Sequence, residues 1–106
     1  MSRKGIVYFR ETPVGAIEET AAGYCFKYDA AYVANHAARA VSITLPLRTE
    51  PYYSETLFPF FYGLLAEGVL KEIQCRKLKL DENDHFGRLL KTAHADTIGA
   101  VTVKEA

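Results

Sequence analysis

The stretch Gly23-Tyr24-Cys25-Phe26-Lys27-Tyr28 decides the fold. It carries an aromatic ring at every second position, with Cys25 and Lys27 between them. A period of two is that of a β-strand, and one aromatic face opposite a small or charged one marks a strand with one side in a core. Working back from it, Ala21-Ala22-Gly23 reads as a turn in which Gly23 is free to take positive φ. Before that turn, Val14–Thr20 can return as a strand from Gly5–Phe9, a β-branched and aromatic run, with Arg10–Pro13 as the break of a short hairpin.

Working forward, Asp29 can cap a short helix over Ala30–His36. Ala40–Leu45 alternates again, with Val41, Ile43 and Leu45 facing one way and Ser42 and Thr44 the other. Pro46 ends it, because proline cannot donate to a ladder. Leu47–Tyr53, with Pro51, reads as a loop. The period then changes. Ser54 is an N-cap candidate, and Pro59 suits the first turn of a helix over Pro59–Leu65. Ala66-Glu67-Gly68 is a break. Val69–Leu80 reads as a helix with Leu70, Ile73 and Lys77 on one face. Asp81–Asp84 is an acidic cluster suited to a helix N-terminus, opening a helix over Asp84–Thr92 with Phe86, Leu89 and Leu90 at helical spacing. Thr97–Val103 reads as a last strand. Strands joined mostly by turns pair antiparallel, and so small a sheet must cover or close its edges. The expected class is α+β: a small curved or barrel-like antiparallel sheet with a few short helices packed on it.

Composition narrows the function classes. In 106 residues, 49% are hydrophobic and 25% charged, which excludes a disordered chain. Thirteen basic residues balance thirteen acidic ones. A protein whose main partner is the phosphate backbone needs an excess of cations, so nucleic acid is not an expected partner. No apolar run approaches the roughly 20 residues that span a bilayer. Met1-Ser2-Arg3-Lys4 leads straight into a strand without a signal core, so a cytoplasmic protein is expected, with no membrane partner. In that setting Cys25 and Cys75 are expected as buried thiols, although one disulfide is open in principle.

Chemistry-bearing motifs are sparse. His36, His85 and His94 have no His or Cys at ligand spacing, and surface or capping roles are expected for them. The scattered glycines form no phosphate loop, and no serine stands in a nucleophile elbow. Glu18-Glu19 reads as strand-edge charge and Asp81–Asp84 as helix capping. Lys71, Arg76, Lys77 and Lys79, interrupted by Glu72, read as a solvated helix face. Tyr24, Phe26 and Tyr28 could stack bases in a nucleic-acid-binding barrel, but zero net charge counts against it. The richest segment is Leu57–Leu70, where ten of 14 residues are aliphatic or aromatic. A helix on a thin sheet hides only one face, so both a core role and an exposed partner surface are open to this segment.

Taken in series, these segments resemble the N-terminal subdomain of HipA-type serine/threonine kinases. Gly15, Gly23–Tyr28 and Ala37–Leu47 are similar to its start. Leu57-Phe-Pro-Phe-Phe-Tyr-Gly-Leu-Leu-Ala-Glu-Gly68 resembles its LFxFFxNLLPEG segment. Phe86-Gly-Arg-Leu-Leu90, followed by Ala95–Val103, resembles its DLL…GxDxxGAV end. Gly63 stands for the usual Asn and Ala66 for the usual Pro, which implies a differently shaped turn. The ATP-binding lysine, catalytic aspartate and metal-binding residues of such kinases belong to a part not contained in these 106 residues. No catalytic residue, cofactor or metal ligand can therefore be carried over, and no enzyme is expected.

A free-standing copy of this subdomain resembles the HipS-like antitoxins of tripartite toxin–antitoxin systems. The resemblance implies a HipT-like kinase toxin as the partner that is bound and inhibited, and a HipB-like DNA-binding protein as third member. The apolar-rich segment ends beside a glycine, so the turn Leu64-Leu65-Ala66-Glu67-Gly68-Val69 is expected at the kinase cleft. Leu65 would be its apolar plug and Glu67 its polar contact. The alternative is a structural subdomain of a longer kinase with no inhibitory role of its own.

Overall fold

In the computed structural model, which describes residues 3–94 and 100–106, five antiparallel strands form one open sheet. Its order is β4-β3-β2-β1-β5, with β1 at Lys4–Phe9, β2 at Thr12–Thr20, β3 at Gly23–Tyr28, β4 at Tyr52–Ser54 and β5 at Val101–Glu105. The helices are α1 (Ala30–Val33), α2 (Pro59–Tyr62), α3 (Gly68–Leu78) and α4 (His85–Thr92). The α+β class is as expected from the strand pattern. The sheet is open rather than barrel-like, with β4 and β5 at its two edges.

The aromatic alternation of β3 does what its period requires: Phe26 and Tyr28 are fully buried in the core, and Tyr24 packs at its margin. Val7, Val14, Ile17, Val101 and Val103 line the same face. From the helical side, Phe61 of α2 meets Phe26 at 5.3 Å between ring centroids, and Phe86, Leu89 and Leu90 of α4 complete the cluster. Gly23 is needed at φ +141°, where a Cβ would sit 2.2 Å from the Ser54 carbonyl oxygen of β4.

Several segments differ from the strand and helix patterns. The β1–β2 break is only Arg10-Glu11. Pro13 lies inside β2, opposite Tyr8, where the register shifts between Val7 and Tyr8. A bulge is one of the few places where a residue without an N–H fits a sheet. The helix expected over Ala30–His36 is one turn, and the Asp29 side chain makes no capping bond. Asn35 Oδ1 instead accepts from the Ala37 amide and turns the chain away.

Ala40–Leu45 is not a strand. The buried Tyr28 hydroxyl donates to the Leu45 carbonyl and accepts from the Val41 amide, taking backbone groups a ladder would use. The Ser42 carbonyl accepts from the Leu45 amide at 3.0 Å, closing a turn, while its hydroxyl accepts from the Thr44 amide. Val41 and Leu45 thus point inward while Ile43, at the tip, is 97% exposed. The loop expected over Leu47–Tyr53 ends in a strand: Tyr52, Tyr53 and Ser54 form β4 by pairing with β3. Ser54 is therefore a strand residue, and α2 starts at Pro59 after Phe58. Residues 97–99 of the expected last strand lie outside the described residues, Ala100 precedes the strand, and Val101–Val103 belong to β5, which continues to Glu105.

A charge clamp ties the residue before β1 to the neighbouring strand β2 and to the start of α4. Arg3 donates to both oxygens of Glu19 at 2.8 and 3.0 Å and to both of Asp84 at 2.8 and 3.0 Å. Asp84 also caps α4 by accepting from the Gly87 amide. Gly87 is required here because a Cβ would lie 2.2 Å from Asp84 Oδ2. The Arg3 guanidinium holds the Glu19 and Asp84 carboxyls below the ordinary carboxylate range. Groups depressed in the folded state stabilise it fully above their unfolded pKa, about 4, and that contribution is lost as pH falls through the folded values. The three side chains are 29–38% exposed, so screening limits the worth of the network to about 1 kcal/mol. Thermal melts from pH 7 to pH 2.5 are expected to show Tm falling below about pH 4. The Arg3→Gln variant should start lower and fall less over that interval; parallel curves would show that the clamp contributes nothing.

Candidate functional site

The chain passes from α2 to α3 through Leu64–Glu67, and the expected turn Leu64–Val69 takes in this link and the first two residues of α3. Leu65 turns inward and is 8% exposed, within the core cluster, and Leu64 is half-buried against that cluster. This corrects the expected plug: Leu65 is held by its own fold and is not presented to a partner. Gly63 keeps a right-handed helical conformation and makes no use of its freedom. Ala66 is half-buried, and its carbonyl accepts from Arg88 Nη2 at 2.7 Å. Glu67 is exposed at the N-cap of α3, with no side-chain capping bond. Gly68 is exposed at φ +62°, a conformation that admits glycine readily, and Val69 after it is 70% exposed. The turn is thus anchored from beneath by Leu65 and Arg88 and presents Glu67, Gly68 and Val69 outward.

The outward face continues along α3. Leu70, Ile73 and Lys77 share a face, as their spacing requires, but that face points to solvent: Leu70 is 52% and Ile73 42% exposed. The residue α3 buries is Cys75. Tyr62, at the end of α2, is also exposed beside the turn. Arg76 and Lys77 are exposed on the same helix, Lys79 is exposed at its C-cap, and Lys71 Nζ lies 3.7 Å from Glu82. Arg88 is the residue that sequence reasoning missed. Its neighbours Phe86, Leu89 and Leu90 were legible as a core face, and a cation set among them is the only signal that pointed to it.

The remaining chemistry-bearing residues do not converge. His36 is exposed, His94 contacts the Lys91 carbonyl at 3.0 Å, and His85 packs edge-on against Tyr62 with its Nδ1 buried and unpartnered among the described residues. Both cysteines are free thiols. Cys75 is buried, whereas Cys25 is half-buried, and burial pushes its thiol up from the ordinary range. Glu19 serves the Arg3 clamp and Asp84 the cap of α4. Burial of Phe26 and Tyr28 removes the base-stacking platform that β3 would have needed. Among the described residues, no group of three or more His, Cys, Asp or Glu is placed to hold a metal ion. No helix of the described residues is long and apolar enough to cross a membrane.

These features define a small open-sheet α+β domain with a supported turn and an uncovered helix face. The family described as the HipA N-terminal domain matches residues 5–104, and the chain belongs to that family. An uncharacterized protein of Haemophilus influenzae strain Rd is 32% identical over 103 residues, spanning 97% of this chain and 92% of that one. A solved structure titled N-terminal domain of HipA toxin superposes with a TM-score of 0.72 at 28% identity, covering 98% of this chain and 92% of the other. The matched family is the N-terminal domain and not the catalytic kinase domain.

The two faces of the turn predict opposite responses to the same change. Leu65→Asp places a carboxylate in the core and should destabilise the fold by more than about 3 kcal/mol in urea denaturation. Val69→Asp should stay within about 0.5 kcal/mol of the parent. Equal losses would mean that Val69 is packed rather than presented.

Proposed function

We propose that this chain is a HipS-like antitoxin that binds and inhibits a HipT-type serine/threonine kinase, in the cytoplasm and without enzymatic activity of its own. A HipB-like DNA-binding protein is the third member of the complex. The observation that carries this reading is the uncovered apolar face formed by Val69, Leu70 and Ile73 beside the supported turn. Fully burying one such side chain stabilises a complex by roughly 1.5–3 kcal/mol. Association costs an estimated 4–15 kcal/mol of rigid-body freedom. A single residue therefore cannot hold a partner, whereas a cluster of three around a fixed turn is the size of a binding hot spot. The docking site comprises Leu64, Leu65, Ala66, Glu67, Gly68 and Val69, with Leu64 and Leu65 as internal supports and Glu67 and Val69 as contacts. It extends to Leu70 and Ile73.

Support for an independent role comes from the Haemophilus relative, of which the match takes up 92%: there the domain makes up nearly the whole protein. The alternative, a structural subdomain that covers the same face within a longer kinase, draws on the solved match, which is titled as one domain of a toxin.

The deciding experiment co-expresses the chain with a HipT-type kinase from the same genome, scoring growth rescue, co-purification and kinase autophosphorylation. The parent chain should rescue and co-purify. The double variant Val69→Asp, Ile73→Glu, folded by circular dichroism, should lose both. Rescue by the double variant removes α3 and the turn from the interface, and failure of the parent chain to form any complex refutes the antitoxin role.

A further inference from the structure

Behind the turn lies a cavity of about 230 Å³ between Tyr62, Ala66, Glu67, Gly68, Lys71 and Arg88. Arg88 is 2% exposed, yet no carboxylate pairs with it among the described residues. Its guanidinium has five N–H groups, and the hydrogen bond it makes among the described residues is the one to the Ala66 carbonyl. A buried guanidinium without a counter-ion is an expensive arrangement, because the loss of hydration is offset only by close pairing. Lys71, one helical turn into α3, lines the same cavity, and its 3.7 Å contact with Glu82 is long for an ion pair. The first amides of α3 add to the positive potential, since Glu67 supplies no side-chain cap. Glu67 is the one acidic residue lining the cavity among the described residues; it is exposed and forms no ion pair with either cation among them.

We propose that this cavity is a carboxylate-binding notch that receives one Asp or Glu side chain of the docked kinase, with Arg88 as the buried counter-ion and Lys71 as the second donor. The inference rests on the docking proposed above and names the chemistry of its partner. Size limits the ligand: small-molecule and cofactor sites occupy about 300–1,000 Å³, and this cavity suits the end of a single side chain. Charge limits it as well. Glu67 on the rim and Glu82 beside Lys71 match the two cations in number, but neither pairs with Arg88, and one buried guanidinium without a counter-ion matches a monoanion better than a phosphate dianion. The place is favourable too, since the notch opens beside Glu67 and Val69, so a partner lying on that face has a side chain within reach of it.

The cavity can be probed without the kinase. Acetate, titrated into the ¹⁵N-labelled protein against chloride at constant ionic strength, should produce saturable shifts at the Arg88 Nε–Hε group and at the Gly68–Leu70 amides. Lys71→Gln, on a partly exposed side chain, should weaken that binding about tenfold while the spectrum remains that of the parent. Arg88→Met should abolish it if the variant folds, and the Lys71 variant decides the matter if it does not. Shifts that do not saturate, or that are indifferent to Lys71→Gln, overturn the notch. Methyl phosphate binding more than about tenfold tighter than acetate assigns the notch to a phosphorylated side chain and overturns the carboxylate. In the kinase complex, Lys71→Gln should raise Kd about tenfold, and an unchanged Kd overturns the docking role of the notch. Because acetate reports on the cavity alone, loss of the antitoxin role and loss of the notch are separate results.

Discussion

Phe61 packed on Phe26 is the contact on which the arrangement of the helices depends. It fixes α2 against β3, while Phe86, Leu89 and Leu90 fix α4 beside it. A sheet of five short strands has room on one face for little more. Once α2 and α4 are in place, the chain between them must run over the outside, and α3 buries only Cys75. The exposure of Val69, Leu70 and Ile73 thus follows from a shortage of covering area. A domain of about 100 residues buries only about two-thirds of its unfolded surface, and its apolar excess has to emerge somewhere. Here it emerges next to a turn held on its inner side, which gives it a defined shape.

The charge clamp has a related origin. Arg3 lies at the end of the chain where fraying is expected, yet it reaches Glu19 on β2 and Asp84 at the start of α4. Each of these bonds is partly exposed and individually weak. Their effect is geometric: one guanidinium joins three segments that are remote in sequence, and the cap of α4 depends on the same carboxylate. Since α4 carries Arg88, and Arg88 holds Ala66, the position of the turn is tied through α4 to the clamp.

Much of this was legible from residues whose environment is local. The Tyr24–Tyr28 alternation, the Gly23 turn, Pro59 at the first turn of α2 and the Asp84 cap each obey rules that operate over two to four residues. The misreadings came where a distant group intervened. Val41, Ile43 and Leu45 alternate as a strand does, but the Tyr28 hydroxyl, 13 or more residues away, takes their backbone partners. Tyr52–Ser54 lacks a strand signal because three residues form a strand only where a neighbour already offers an edge. Leu65 precedes α3 and Val69 lies in its first turn, and the spacing between them does not sort the two into supporting and presented residues. That sorting depends on where α4 lies, which no spacing within the turn reveals. Arg88 was missed for the same reason.

The supported turn bears on how a small surface can bind tightly. Ordering a loop on association costs about 0.5–1.5 kcal/mol for each side chain immobilised, and that cost is what most limits small interfaces. Here part of it is met in the free protein. Leu65 is already buried, the Ala66 carbonyl is already bonded, and Gly68 already holds the φ of +62° that aims Val69 outward. A partner that covers Val69, Leu70 and Ile73 would therefore order little that is not already ordered, and a larger share of the apolar contact would remain as affinity. The same stiffness favours discrimination. A turn that cannot yield to a poorly shaped partner rejects it through uncompensated contacts, so the rigidity that would add affinity to the proposed docking would also add selectivity.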